Sequence, residues 1–188
     1  LISAACEASG VVRVHTPSDL VRVAAAFDKG AVPRGRRIAI ISDSGGQGGT
    51  AADEASRVGL EVPEFSERVQ AELQSLLPDG ASVRNPIDLA GAGEADMSLY
   101  ASLPVLLAAS GEVDAVILSG YYGSCGHDTP TLIEEERDVA RQLLTIQDVP
   151  VLVPAMAPDS VVSIEMNQSG ILVAERIEDM IGVLGYAA

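Results

Sequence analysis

Tryptophan is absent from this sequence, cysteine occurs twice and lysine once, at Lys29. Two cysteines, Cys6 and Cys125, cannot frame a disulfide-stapled fold, so a reducing cytoplasm is the default compartment. Cations are scarce: twelve Lys and Arg stand against 27 Asp and Glu, a formal charge of −15. So acidic a chain is a poor partner for nucleic acid or an anionic membrane. No apolar run approaches the roughly 20 residues of a membrane-spanning helix. Residues 1–9 have neither the basic start nor the cleavage pattern of a secretory leader, so none is expected. The sequence is rich in aliphatic bulk. Hydrophobic residues make up 47% of 188 positions, enough for one α/β domain to close its own core.

The most informative stretch is Arg36–Thr50. Residues 38–41 are an unbroken apolar run, too short for a helix and suited to a strand buried on both faces. At Ser42 the run gives way to Asp43-Ser44-Gly45-Gly46-Gln47-Gly48-Gly49, and Thr50–Ala55 reads as helix. Strand, glycine turn and helix in that order aim backbone N–H groups and the positive end of a helix dipole at one point, which suits an anion, above all phosphate. Glycine matters there because a Cβ would hold the anion away from the amides. An amide-based site also reconciles phosphate binding with the acidic composition.

Around this stretch the pattern alternates. Residues 1–8 read as a helix entered part-way and capped by Gly10, as in a piece of a longer chain. Val11–Val14 reads as a short strand, and Thr16-Pro17-Ser18-Asp19 caps a helix to about Lys29. A helix ends near Gly59, Leu60–Pro63 reads as a brief strand, and Ser66–Leu77 as a helix stopped by Pro78-Asp79-Gly80. Asn85-Pro86-Ile87-Asp88-Leu89 reads as an extended loop. Asp96–Ala109 is helical with a kink or break at Pro104. Strands are expected at residues 113–118, 149–153 and 171–173, separated by helices at 131–146 and 159–168, with a last helix at 176–184. The resulting expectation is a parallel sheet covered on both faces, with residues 1–35 leading in and 36–188 forming the domain. Ligands bind such sheets at the carboxyl ends of the strands. Four segments converge there: Ser42–Gly49, Asn85–Gly91, Ser119–His127 and Pro154–Pro158.

Arg36–Thr50, Gly59-Leu60-Glu61-Val62, Asn85-Pro86-Ile87-Asp88 and Gly170-Ile171 together resemble the ADP-forming (NDP-forming) acyl-CoA synthetases, relatives of succinyl-CoA synthetase. The likeness spans about Ala4 to Leu184 and is to their second flavodoxin-like domain, a three-layer sandwich around a central parallel sheet. The resemblance implies a reaction in which acyl-CoA, phosphate and ADP give a free acid, CoA and ATP. It also implies a carrier histidine, held between the N-termini of two helices and served by CoA-binding, phosphohistidine and ATP-grasp domains. CoA, ATP or ADP and Mg would be bound by the full enzyme and none by this fragment alone, which would be inactive. The matching helix here starts after Ser44-Gly45-Gly46. Family members carry the histidine in a His-Thr-Gly segment upstream; His15-Thr16-Pro17 only imitates it, so no catalytic residue is assigned in this chain. The family's turn often starts Thr-Asn, whereas Ser42-Asp43-Ser44 brings a carboxylate beside the proposed phosphate.

The expected phosphate contacts are thus Ser42, Ser44, Gly45, Gly46 and Gly48, with Asp43, Asn85, Asp88, Tyr121 and Tyr122 lining the site. Each has a plainer reading: the serines as helix caps, the glycines as a close helix–sheet approach, Asn85 as an Asx turn, one tyrosine as core. Cys125-Gly126-His127 has awkward geometry for a nucleophile and its base, and too few partners for a metal site. It reads as a mobile loop facing a partner domain. Asp43-Ser44-Gly45-Gly46 also mimics the nucleophile turn of trypsin-like proteases, which the strand–helix alternation excludes. Glu134-Glu135-Glu136 reads as a solvated helix start. A second hypothesis is a non-catalytic, ligase-like regulatory or binding module of a larger protein, such as an acyl-CoA-linked protein acetyltransferase. A third is a free-standing binder of a small phosphorylated ligand. A homo-oligomer stays open.

Overall fold

The computed structural model describes residues 2–188, apart from the side chain of Glu7. In chain order its elements are α1 (Ile2–Ala8), α2 (Pro17–Asp28), β1 (Ile38–Ser42), α3 (Gly45–Arg57), α4 (Glu67–Leu76), β2 (Ile87–Asp88), α5 (Ala92–Ala95) and α6 (Leu99–Ser110). There follow β3 (Ala115–Ser119), α7 (Cys125–Asp128), a 3₁₀ turn at Pro130–Leu132, α8 (Ile133–Leu143), β4 (Val151–Pro154), α9 (Val161–Ser169), β5 (Leu172–Ala174) and α10 (Ile177–Ala187). The five strands form one sheet in the order β2-β1-β3-β4-β5, and every pairing is parallel. This is the flavodoxin-like order, with its reversal at β1 between β2 and β3.

Side-chain alternation along the central strands builds a core on each face. Ile38 and Ile40 of β1, with Ala115 and Ile117 of β3, face a core closed by Val23 and Ala26 of α2, Ala51 and Ala55 of α3, and Ile181 and Leu184 of α10. Ala39 and Ile41, with Val116 and Leu118, face the other, which holds Val69 and Leu73 of α4, Leu103 and Leu107 of α6, Val139 and Leu143 of α8, and Met166 of α9. Both strands are buried end to end, which is why they read as continuous apolar runs rather than alternating ones. Helix–sheet–helix layering follows directly.

Four expectations about elements need correction. Val11–Val14 and Leu60–Pro63 are not strands; the second makes only a single bridge, Arg37 to Glu61. The loop expected at Asn85–Leu89 instead supplies the edge strand β2. Helix α6 continues unbroken through Pro104, a buried residue among apolar neighbours whose packing outweighs one lost hydrogen bond. The Thr16 cap is present as a reciprocal capping box with Asp19, with Pro17 in the first turn.

At the amino edge of the sheet Arg37 clamps β3. Its Nε and Nη2 donate to the Asp114 carboxylate at 3.0 and 2.7 Å, and its backbone N–H donates to Oδ2 at 3.0 Å. These bonds to Arg37 hold the Asp114 carboxyl below the usual aspartate range, against the opposing pull of burial. The Asp114→Asn variant is expected to lose about 2 kcal/mol at neutral pH. Because the folded carboxyl titrates below the ~3.9 of an unfolded chain, that contribution is fully present above this value and lost as pH falls through the folded one. Urea unfolding across pH checks this: the gap between variant and wild type should narrow only in acid.

Candidate functional site

The strand carboxyl ends all lie on one edge of the sheet, and α3 begins there. Its first intrahelical bond runs from Gly48 N to Ser44 O at 3.0 Å, so the N–H groups of Gly45, Gly46 and Gln47 have no partner within the helix. Ser44 is the N-cap, and its side chain makes no capping bond. Residues 44–47 are exposed. The helix thus presents an uncapped, solvent-facing row of amides at its positive end.

Asp88 stands beside this row. A Cβ on Gly45 would come within 2.8 Å of Asp88 Oδ2, while Asp88 Oδ1 accepts from Ala90 N at 2.9 Å. Asp43 turns its carboxylate the other way, where Oδ2 accepts from Tyr121 N at 3.1 Å and from the Tyr100 hydroxyl. Burial and then the bond to Asp43 push the Tyr100 phenol far above its ordinary range, so it stays a donor. Gly120, at φ +123°, is required here, since a Cβ would approach Asp43 Oδ2 to 2.6 Å. Asp43 Oδ1 is buried and without a partner. Tyr121 is half-buried and donates its hydroxyl to Asp128 Oδ2 at 2.6 Å; that bond pushes its pKa up to about 12.

Four residues expected at the site are employed elsewhere. The Ser42 side chain is fully buried and closes its own turn, donating to Ser44 O at 2.9 Å and accepting from Ser44 N at 3.2 Å. Gly48 is buried where α3 crosses the Asn85-Pro86 segment, and a Cβ would lie 3.2 Å from Pro86 Cβ. Its need for glycine is close packing. Asn85 serves as a one-residue surrogate strand: Oδ1 accepts from Ile40 N at 3.0 Å, and Nδ2 donates to Ile38 O at 2.8 Å and Pro63 O at 3.1 Å. Tyr122 is wholly buried, stacked obliquely on Tyr100 with ring centroids 5.2 Å apart.

The Cys125-Gly126-His127 segment is also not the mobile loop its composition suggests. It forms the short helix α7 with Cys125 and Gly126 buried. Burial first, then the Glu136 and Asp43 charges, push the Cys125 thiol up to about 12, which keeps it protonated and unreactive at neutral pH. The residue that sequence reasoning missed is Glu136. It is wholly buried, while its neighbours Glu134 and Glu135 are exposed. Its spacing from Val139, Ala140 and Leu143 is the available signal, because those residues mark the core stripe of α8.

A cavity of about 490 Å³ lies elsewhere, among α2, α3 and α10. It is lined by His15, Asp19, Glu54, Arg57 and Tyr186 among others. Its charged groups are already matched: Glu54 with Arg57, Asp19 with the Thr16 cap, and Asp179 with Arg22. His15 packs there against Tyr186, with centroids 5.9 Å apart. The α3 row, by contrast, is open surface. Among the described residues no three His, Cys, Asp or Glu side chains gather as a metal-binding group. No described helix is long and apolar enough to cross a membrane.

No protein-family profile matches the chain. It is 31% identical over 185 residues, 96% of its length, to the alpha subunit of the ADP-forming acetate–CoA ligase II of Pyrococcus furiosus. It is 33% identical over 89 residues to the ADP-forming acetate–CoA ligase II of Archaeoglobus fulgidus. The chain spans 39% of the first relative and 13% of the second. Among solved structures, PH0766 from Pyrococcus horikoshii superposes with a TM-score of 0.71 at 27% identity, over 99% of this chain and 42% of that one. A dinucleotide-forming acetyl-coenzyme A synthetase of Ca. Korarchaeum cryptofilum gives the same TM-score over 99% of this chain and 40% of that one, and at 18% identity it speaks for the fold alone. By sequence over nearly its whole length, the chain is a homologue of the ADP-forming acetate–CoA ligases and corresponds to part of their length.

Proposed function

We propose that this chain is a flavodoxin-like domain of an NDP-forming acyl-CoA synthetase and lends the start of α3 to the phosphate or phosphohistidine site. The reaction converts acyl-CoA, phosphate and ADP to acid, CoA and ATP. CoA-binding, phosphohistidine and ATP-grasp modules supply the remaining groups, including the carrier histidine and the sites for CoA, nucleotide and Mg. The supporting observation is the exposed, uncapped row of N–H groups at Gly45, Gly46 and Gln47 on the ligand-binding edge of the sheet. Such a row stabilises charge with preorganised dipoles and moves no proton. Within it Ser44 Oγ and the Gly45 and Gly46 amides face the phosphoryl oxygens, while Asp88 and Tyr121 border the opening. Asp43 keeps its charge turned toward Tyr100 and Tyr121.

The test is a titration of the ¹⁵N-labelled chain with inorganic phosphate. Saturable amide shifts are expected at Gly45, Gly46 and Gln47, with sulfate competing. Shifts confined to other surfaces would remove α3 from the proposal.

A further inference from the structure

Among the described residues, the buried carboxylate of Glu136 has no ion-pair partner. Arg137, its nearest neighbour in sequence, pairs with Glu134 and Glu165. Backbone N–H groups surround it: Oε1 accepts from Gly123 N at 2.8 Å and Cys125 N at 3.1 Å, and Oε2 from Gly126 N at 3.1 Å. Burial raises the carboxyl's pKa, and these bonds oppose it. Two glycines allow this wrapping. A Cβ on Gly126 would lie 2.9 Å from Glu136 Oε2, and one on Gly123, at φ +88°, would lie 2.8 Å from Ala155 Cβ. A concave set of amides around a carboxylate is the arrangement otherwise used to seat an external anion. Here the chain seats its own.

The wrapped segment joins three loops along the ligand-binding edge. Toward β1, Tyr121 N donates to Asp43 Oδ2. Toward β4, Gly123 O accepts from Ser160 Oγ at 3.0 Å and Ser163 Oγ at 2.7 Å, and Ser124 Oγ accepts from Ala157 N at 2.9 Å. Asp43 sits between the end of β1 and the N-cap of α3. With Oδ1 unpartnered, its side chain is held only by Tyr121 N and the Tyr100 hydroxyl.

We propose that Glu136 is a positioning residue for the α3 amide row: an internal anion around which residues 123–126 fold, fixing Tyr121, hence Asp43 and the first turn of α3. The inference rests on the α3 reading for its effect on phosphate, but the anchoring of the loop can be read separately. A space of about 190 Å³ beside Glu136, lined by Gly126, Ile133 and Ser160 among others, leaves room for a small carboxylate once the side chain is shortened.

The experiment compares wild type with Glu136→Ala and Glu136→Gln in the ¹⁵N-labelled chain, with formate or chloride at matched ionic strength. In Glu136→Ala, amide protection at Gly123, Cys125 and Gly126 should fall, and phosphate affinity at Gly45 and Gly46 should drop at least about tenfold. Formate should restore both and chloride neither. Glu136→Gln, which keeps the bulk but turns an NH₂ toward backbone donors, should show the loss without rescue. Folding of Glu136→Ala only in formate would also support the proposal. A merely structural role would lower thermal stability and leave phosphate affinity unchanged, so wild-type affinity in folded Glu136→Gln overturns the inference. If wild type itself binds no phosphate at α3, the function proposed above fails. The anchoring claim then stands or falls on formate-dependent protection at Gly123, Cys125 and Gly126.

Discussion

Replacing Gly46 by valine in the assembled enzyme should reduce acyl-CoA-dependent ATP formation at least about tenfold while leaving the fold intact. The two halves of this expectation come from one geometry. A Cβ at Gly46 would meet only Ser44 Oγ, at 3.7 Å, an ordinary contact. Gly46 has ordinary helical geometry, and valine is no worse than glycine in a helix, so stability should change by less than about 0.5 kcal/mol. The isopropyl group would nevertheless stand on the exposed start of α3 and keep a phosphoryl group from the amides. Gly45 and Gly48 make poorer probes: a side chain at the first meets Asp88 Oδ2, and at the second Pro86. Assaying turnover and urea unfolding on the same Gly46→Val preparation separates the effects. Near-normal turnover in a folded variant would exclude α3 from the chemistry.

The second large effect is expected at Asn85, and in stability. Its amide satisfies Ile40 N, Ile38 O and Pro63 O, groups that a longer edge strand would otherwise pair. Asn85→Ala leaves them without partners beside the fully buried β1, at a cost of roughly 3 kcal/mol. Asn85→Asp should fare little better, because a carboxylate can accept from Ile40 N but offers nothing to the two carbonyls. The denaturation midpoint measures this. An unchanged midpoint with altered turnover would return Asn85 to the site-lining role its sequence position suggested.

The contrast shows where sequence reasoning succeeds and where it stops. Residues 38–41, 113–118 and 149–153 were legible as strands because a strand buried on both faces must be apolar throughout. Their parallel pairing brings the strand carboxyl ends to one edge, as the alternation with helices requires. Val11–Val14 had the same β-branched character without a neighbour to pair with, and propensity alone does not supply one. Ile87–Asp88 was hidden by Asn-Pro, a loop signal, because a two-residue edge strand leaves almost no pattern. Side-chain employment was the least legible layer. Nothing local distinguishes a serine that closes its own turn, as Ser42 does, from one that binds an anion. The Glu134–Glu136 run resembles any solvated helix start until α8 is laid against the sheet and its third acid turns inward.

One consequence of the α3 geometry concerns how a ligand arrives. The attraction of unpaired amides fades within about one helical turn, whereas carboxylates such as Asp88, and the excess of acids over the whole chain, act over roughly the ~10 Å Debye length at 0.1 M salt. A free dianion diffusing inward is therefore slowed before it reaches the dipoles that would hold it. Added salt should speed its capture, the reverse of the behaviour of basic anion sites. A phosphoryl group carried in on a tethered arm needs no long-range guidance, so the surrounding acids slow free phosphate more than they slow such cargo.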